Sequence, residues 1–527
     1  MTKPCRYITT PIYYVNDRPH IGHVYTSTLC DVWARFMRFS GDDVFFLTGT
    51  DEHGVKVENS AKARGISPHA LADENAAEFQ RIMRMFEVTN DDFIRTTSDS
   101  HMRQVKSFVE MLQAADAVYP GEFEGWYDEG EEEYITETKA RDNEFKSAVT
   151  GRALVRATEK NYYFRLSAFQ EPLEKLFEEQ PNFVRPAARR NEVLGRLREG
   201  LNDVPISRSN FTWGIGMPGD PEHVIYVWID ALLNYATGLG MAEPDSEVCK
   251  ERIKYWPADY HVIGKEILWF HAVIWPAILM ALKLPLPKCV YAHSFWIAEG
   301  TKMSKSLGNF IDLERIQGYI DTYGADMWRY YLTTQGPLGA TDADFVAGHF
   351  HEVYESDLVN TVGNCASRVT AMVGKYFDGV VPTEAPAGER LLCGDHDWPT
   401  ITAASTETAV NAMDNFDLVA ATASGMNLIR KVDGFIQTTA PFKLAKDDGR
   451  RDELGAILYQ CLEAIRIASL LLWPTLNHKM EQLWDVFGLE MNPRDGKLAE
   501  LAQWGGLPVG GSVVKVALFP RIDAPQA

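Results

Sequence analysis

The sequence predicts an α/β protein: a parallel sheet, an insertion that interrupts it, and a helical bundle behind it. Three observations carry this expectation. Apolar or β-rich runs alternate with helical patterns over the first 115 residues, a block of different texture begins near residue 118, and the pattern is almost wholly helical from about residue 350.

YITTPIYY at 6–13 reads as a short strand with its turn at Asn16-Asp17. From Gly22 to Ser40, Val24, Leu29, Val32, Trp33, Phe36 and Met37 recur at helical spacing, and Gly41 follows as a stop. VFFLTG at 44–49 reads as a buried strand, and helical patterns follow at 68–86 and 100–116. Strand, helix, strand, helix in that order predicts a parallel sheet of nucleotide-binding type. Residues 121–150 then hold ten acidic and three basic side chains, which breaks the α/β texture. That texture resumes with HVIYVWI at 223–229, HVIG at 261–264, a helix at 266–282 and VYAHSFWI at 290–297, so 116–225 reads as an insertion. Apolar stripes through 358–377, 400–433 and 454–473 suit a helical bundle. The end, GLPVGG followed by VVKVALFPRI, reads as a short strand-bearing tail that folds back.

A net charge of −21 argues against indiscriminate binding to nucleic acid, so any RNA contact must come from particular patches. The seven cysteines are scattered and none forms a CxxC pair, which suits a reducing compartment and offers no cysteine-rich zinc site. The N-terminus lacks a signal-type apolar region, and the run at 267–287 is interrupted by His271, Pro276 and Lys283. A cytoplasmic protein with no membrane span is expected.

Three short motifs carry chemistry. His20-Ile21-Gly22-His23 sits where the first strand hands over to the first helix, with both imidazoles on about one face and Gly22 free of a side chain. A helix N-terminus favours phosphate there; structural histidines or a metal pair completed by distant residues are the competing readings. TGTDEHG at 48–54 falls at the C-terminal edge of a strand, where Asp51 could meet an amine or a ribose. TKMSKSLGN at 301–309 is a basic, hydroxyl-rich loop flanked by Gly300 and Gly308. Alone it reads as a solvated turn; with an anion nearby it reads as a phosphate clamp. Neither a G-x-G-x-x-G after the first strand nor a phosphate-binding G-x-x-x-x-G-K-[ST] is present.

HIGH at 20–23 and KMSKS at 302–306 together resemble the paired signatures of class I aminoacyl-tRNA synthetases. YITTPIYYVND, FFLTGTDEHG, YVWIDALLNY at 226–235 and HVIGKEILWFHAVIWP at 261–276 are similar to the methionyl-tRNA synthetase family, and the resemblance runs from residue 6 to about 475. It implies a Rossmann-like catalytic domain in two halves, 1–115 and 226–299, around a connective domain at 116–225. It further implies a loop and stem-contact region at 300–349, an α-helical anticodon-binding bundle at 350–480 and a tail at 481–527.

The same resemblance implies the roles of individual residues. Ile12, Tyr14, Trp228, Ala231, Leu232, Tyr235, Ile267, His271 and Trp275 match the methionine side-chain pocket, and Asp51 matches the carboxylate that pairs with the ammonium. An apolar pocket with aromatic edges suits a thioether, each contact contributing about 0.3–1.5 kcal/mol. His20, His23, Lys302 and Lys305 would stabilise charge on the triphosphate during attack by the methionine carboxylate, with Ser304 and Ser306 as added donors. Gly22, His261, Gly264 and Lys265 are candidates around ATP, although Lys265-Glu266 also reads as an ordinary helix start. Asn364 and Arg368, four apart, match anticodon-reading positions, and Phe442 falls where relatives carry a stacking tryptophan.

ATP with its Mg²⁺, methionine and tRNA(Met) are therefore the expected cofactors and partners. Residues 116–225 contain no cysteine, so no structural zinc is expected, and aromatic packing by Phe123, Trp126, Tyr127, Tyr134, Tyr162, Tyr163 and Phe164 is expected to hold the insertion. A monomer is expected. The competing functions are another class I synthetase, for which the insertion is too small or the thiolates are missing, and an RNA-binding protein that has lost catalysis.

Overall fold

The computed structural model describes residues 3–16, 18–128, 133–135, 137–301, 303, 309–385 and 396–523. Its organising element is the strand Cys5–Thr9, which pairs in parallel with Asp43–Asp51 on one side and Tyr260–Gly264 on the other. Tyr260–Gly264 continues to Val290–His293, and Asp43–Asp51 is flanked by Tyr13–Tyr14 and Asp92–Arg95. All these pairings are parallel, as βαβ crossovers require.

The expected strand 6–13 is two pieces. Pro11 lacks an N–H and interrupts it, and Tyr13–Tyr14 crosses to the far side of Asp43–Asp51. The first helix, Ile21–Ser40, buries Val24, Leu29, Val32, Trp33, Phe36 and Met37 along the expected stripe. Helices Pro68–Met85 and Asp99–Ala114 follow, capped by the Ser67 and Ser98 side chains; Val55–Arg64 adds a helix that the sequence reading did not anticipate.

Two other stretches differ from expectation. HVIYVWI splits between an antiparallel strand, Asp220–Ile225, and the helix Val227–Thr237, so it contributes nothing to the main sheet. The helix expected at 266–282 is a 3₁₀ turn at Lys265–Ile267, a π-helical segment at Phe270–Ile274 and an α-helix at Trp275–Ala281. Pro276 cannot donate to the preceding turn, which accounts for the break beside it.

Within 116–225, Val118–Asp128, Glu133–Ile135, Val155–Phe164 and Val204–Pro205 form an antiparallel sheet. Tyr119 and Tyr163 stack at 5.8 Å, Phe164 stacks on Phe169 at 5.5 Å, and Trp126 packs on Phe145 at 4.7 Å. Tyr127 lies in the same sheet opposite Val155, and Tyr162 meets His223 at 5.5 Å; the Phe123 and Tyr134 side chains lie outside the described ones. The same stretch also supplies Val184–Arg185 to the edge of the main sheet beside Val290–His293, a pairing too short to leave a sequence pattern.

The helical region packs Tyr354–Gly363, Asn364–Tyr376, Trp398–Asp414, Leu418–Thr439 and Arg451–Leu472 around one core. Asp448–Leu472 is long and apolar enough to cross a membrane, and its apolar window is wholly buried here. The tail forms no strand among the described residues. Four glycines and Pro508 at 505–511 break it, and it is tied by backbone bonds from Val513 N–H to Gly379 O (2.7 Å), Val381 N–H to Gly511 O (2.8 Å) and Gly510 N–H to Val381 O (2.9 Å). Its main anchor is the buried Glu463 carboxylate, which accepts from the Gly505, Gly506 and Leu507 N–H groups and from Arg466 at 2.7–3.1 Å.

Buried charge joins the sheet to the bundle. Arg329 pairs with Asp31 of the first helix at 2.8 Å and donates to Pro474 O at 2.8 Å. Burial alone would raise the Asp31 carboxyl, but Arg35 and Arg329 overcome it and hold it at about 2. Nearby, His478 bridges Asp326 (3.0 Å) and Glu87 (3.1 Å). The Asp326 hydrogen bond is the main reason that its imidazole is raised to about 9. Because the folded value lies above the ordinary one near 6.5, this bridge stabilises the fold fully below about pH 6.5. The contribution is lost as pH rises through about 9. With solvent screening at this half-exposed site, His478→Gln should cost about 1 kcal/mol at pH 6 and almost nothing at pH 10. Chemical denaturation at the two pH values measures the difference; a gap that does not shrink would contradict the linkage.

Candidate active site

The site candidates gather at the C-terminal ends of the parallel strands, where open α/β sheets hold ligands. His20 caps the first helix through its ring: Gly22 N–H donates to His20 Nδ1 at 3.1 Å, and His20 N–H donates to His23 Nδ1 at 3.1 Å. This is a capping box made of two imidazoles. Each ring accepts at Nδ1, so each neutral ring carries its proton on Nε2 and can donate from there. The ring centroids are 4.1 Å apart. Burial and then the neighbouring His20 hold His23 well below the ordinary histidine range, so it is a neutral donor at pH 7.

The stem of the basic loop lies directly on this turn. Ile21 N–H donates to Ile311 O at 3.1 Å, His20 bridges Asp312, and Phe310 packs edge-on against the His20 ring at 5.2 Å. Asn309 Nδ2 donates to Ala298 O and Thr301 Oγ1 at 3.2 and 3.0 Å, joining the two sides of the stem. Lys302, Ser304, Lys305 and Ser306 lie outside the described residues.

The apolar candidates share one helical face. Trp228, Ala231, Leu232 and Tyr235 recur at helical spacing on Val227–Thr237, and all but half-buried Trp228 are buried. Trp228 stacks on Phe270 at 3.8 Å and 9°. Tyr235 O–H donates to His271 Nε2 at 2.7 Å, and His271 Nδ1–H donates to Ile267 O at 3.0 Å, which sets the tautomer. Burial lowers His271 to about 4, so it stays neutral. Behind it, Trp275 Nε1–H donates to His261 Nε2 at 3.3 Å, and His261 Nδ1–H donates to Thr9 Oγ1 at 2.8 Å. His261 is thus fully buried in the wall with both ring nitrogens engaged, and burial depresses its pKa.

Asp51 is the buried last residue of its strand, beside Tyr14. Ile12 is half-buried just before that neighbouring strand. Gly264 ends the strand Tyr260–Gly264, and Lys265 pairs with Asp342 at 2.6 Å over the Phe295 ring. Far along the chain, Asn364 is exposed, Arg368 pairs with Asp433 at 3.1 Å, and Phe442 is 48% exposed beyond the helix that holds Asp433. Among the described residues no group of three or more His, Cys, Asp or Glu side chains is arranged to hold a metal ion.

Sequence reasoning missed Phe270, Phe310 and a buried His53–Asp230–His101 cluster. Phe270 had one available signal, its position next to His271. The others have partners too distant in sequence to show any spacing.

Such a sheet edge, with a histidine-capped helix joined to the stem of a basic loop, is the architecture of a class I synthetase. The family model described as tRNA synthetases class I (M) matches residues 6–142 and 140–370, and the chain belongs to that family. Curated relatives include methionine–tRNA ligases of Halalkalibacterium halodurans (39% identical; 99% of this chain, 79% of the relative) and Caldanaerobacter subterraneus (41%; 98% and 79%). Among solved structures, Mycobacterium tuberculosis methionyl-tRNA synthetase in complex with methionyl-adenylate superposes with a TM-score of 0.88, at 35% identity, over 98% of this chain and 100% of that one.

Gly22 permits the imidazole cap, since a Cβ there would lie 2.9 Å from His20 Cε1. In Gly22→Ala the lost cap costs about 1 kcal/mol and the helix gains about 0.5–1 kcal/mol. Thermal stability should therefore stay nearly unchanged while ATP–pyrophosphate exchange falls about tenfold, the energy of one misplaced donor. Melting curves and exchange rates on the same preparation separate the two; unchanged exchange would remove His20 from the site.

Proposed function

We propose that the chain activates L-methionine with ATP, forming methionyl-adenylate and pyrophosphate, and transfers methionine to the 3′-terminal adenosine of tRNA(Met). The observation that supports this most directly is the union of the His20–His23 turn with the 309–312 stem, at the same sheet edge as Asp51. In this reading Asp51 takes the ammonium, and the Trp228–Tyr235 face with Ile12, Tyr14, Ile267, His271 and Trp275 takes the thioether.

The methionine carboxylate attacks the α-phosphorus and pyrophosphate leaves opposite, so the protein stabilises charge instead of supplying a nucleophile. His20 and His23 donate from Nε2 to phosphate oxygens. Lys302 and Lys305, with Ser304 and Ser306, hold the β- and γ-phosphates. Gly22 and Gly264 leave room for the nucleotide, Lys265 flanks it, and His261 supports the wall from behind. Mg²⁺ comes bound to the triphosphate. Asn364, Arg368 and Phe442 read the anticodon in the helical region. The chain acts as a monomer in the cytoplasm and uses no structural zinc.

Methionine-dependent exchange of labelled pyrophosphate into ATP, run across the twenty amino acids, tests the activity; exchange with none or with another amino acid would refute it. Lys305→Ala should slow exchange by about a hundredfold or more with little change in methionine affinity, the scale of one lost transition-state donor. Arg368→Ala should lower kcat/KM for tRNA aminoacylation by about ten- to a hundredfold, as loss of a base-reading guanidinium does. Exchange in that variant should be unaltered, and an equal fall in both assays would place Arg368 in a structural role.

A further inference from the structure

We propose that Asp230 is a positioning residue: through a buried His53–Asp230–His101 clamp it sets the distance between the ammonium end and the thioether end of the amino-acid pocket. This rests on the reading of Asp51 and the Trp228–Tyr235 face given above.

The geometry makes Asp230 the joint between three elements. It lies on Val227–Thr237, two residues after Trp228 and one before Ala231. Its Oδ2 accepts from His53 Nδ1 at 2.7 Å, and His53 follows Asp51 by two residues on the strand-end loop. Its Oδ1 accepts from His101 Nε2 at 2.6 Å, and His101 Nδ1 is hydrogen-bonded to Thr237 Oγ1 at 2.7 Å. Asp230, His53 and His101 are 1%, 4% and 1% exposed, so water does not replace a lost partner. Burial would raise the Asp230 carboxyl, but His53 and His101 overcome it and hold it at about 2. It therefore stays an acceptor for both rings across the working pH range, and the clamp does not open with pH.

The rest of the loop is fastened to other elements, which leaves His53 as its contact with Asp230. Glu52 turns away to Arg95, at 2.7 and 3.0 Å. Trp213 holds the backbone, its Nε1–H donating to Glu52 O at 2.6 Å and its carbonyl accepting from Gly54 N–H at 3.0 Å. Gly54 sits at φ +105°, where a Cβ would also lie 3.0 Å from the Tyr14 hydroxyl. The His53–Asp230 bond is then a direct side-chain link from the Asp51 loop to the helix bearing the apolar face. A pocket that measures an amino acid from its ammonium to its methyl needs both ends held relative to each other. One methylene is worth about 10- to 200-fold in such a pocket.

The test is pyrophosphate exchange with KM determined separately for methionine and ATP. Asp230→Asn keeps the shape but cannot accept from both rings. It should raise KM for methionine about tenfold, move KM for ATP less than about twofold, and reduce the preference for methionine over ethionine. His53→Ala should do the same. His53→Asn, whose amide nitrogen takes the place of Nδ1, should return KM for methionine to within about threefold of wild type. An unchanged methionine KM in Asp230→Asn, or equal rises in both KM values, would overturn the proposal. If Asp230→Asn does not fold, the His53→Ala and His53→Asn pair decides: equal behaviour of the two overturns the clamp. Asp51→Ala separates the layers. If it leaves methionine KM unchanged, the pocket reading itself fails; if it raises KM while the clamp variants do not, only the clamp fails.

Discussion

The structure depends on one five-residue strand that is hydrogen-bonded on both edges. Cys5–Thr9 pairs with Asp43–Asp51 and, across 252 residues of sequence, with Tyr260–Gly264. A strand buried in this way must satisfy its backbone groups through its neighbours. Both halves of the sheet must therefore be in place before the strand is stable. Because the ladders are parallel, their C-terminal ends lie at a common edge. The first-helix turn, the Asp51 loop and the Gly264–Lys265 turn all leave from that edge, and the 309–312 stem is hydrogen-bonded to the first-helix turn there.

The histidines in the fixed wall of the candidate site are uncharged at neutral pH. Burial lowers His23, His261 and His271 below neutrality, and the partners of each ring set its tautomer. Neutral rings with defined donors suit a surface that must receive a polyanion without first trapping a counter-ion. They also suit an acidic chain, whose net charge of −21 would otherwise resist a triphosphate. Lys265, at the turn after Gly264, is a described cation at this edge, and it is paired with Asp342.

Legibility followed the range of the interactions. Local periodicity revealed the first helix, Pro68–Met85, Asp99–Ala114 and the long bundle helices, because a buried stripe leaves a spacing in the chain. The paired motifs stood out as contiguous patterns, whereas Trp228, Ala231, Leu232 and Tyr235 were named only through the family resemblance, and their helix was missed because HVIYVWI reads as a strand. Val184–Arg185 was not legible, because two residues carry no period. Neither was the π-helical segment, since backbone hydrogen-bond slippage beside Pro276 has no single sequence signature. The Asp230 clamp escaped because its histidines lie 177 and 129 residues away, and only the folded chain brings them to one carboxylate.

Glu463 ties residues 505–507 to the middle of a bundle helix. Its carboxylate is fully buried in the middle of Arg451–Leu472, yet three of its donors are backbone amides at 505–507. Without those amides the apolar helix Arg451–Leu472 would carry a desolvated carboxylate with Arg466 as its counter-ion and no main-chain donors from 505–507. The 505–507 segment is thus part of the bundle's own charge balance, although it lies outside the sheet that bears the candidate site.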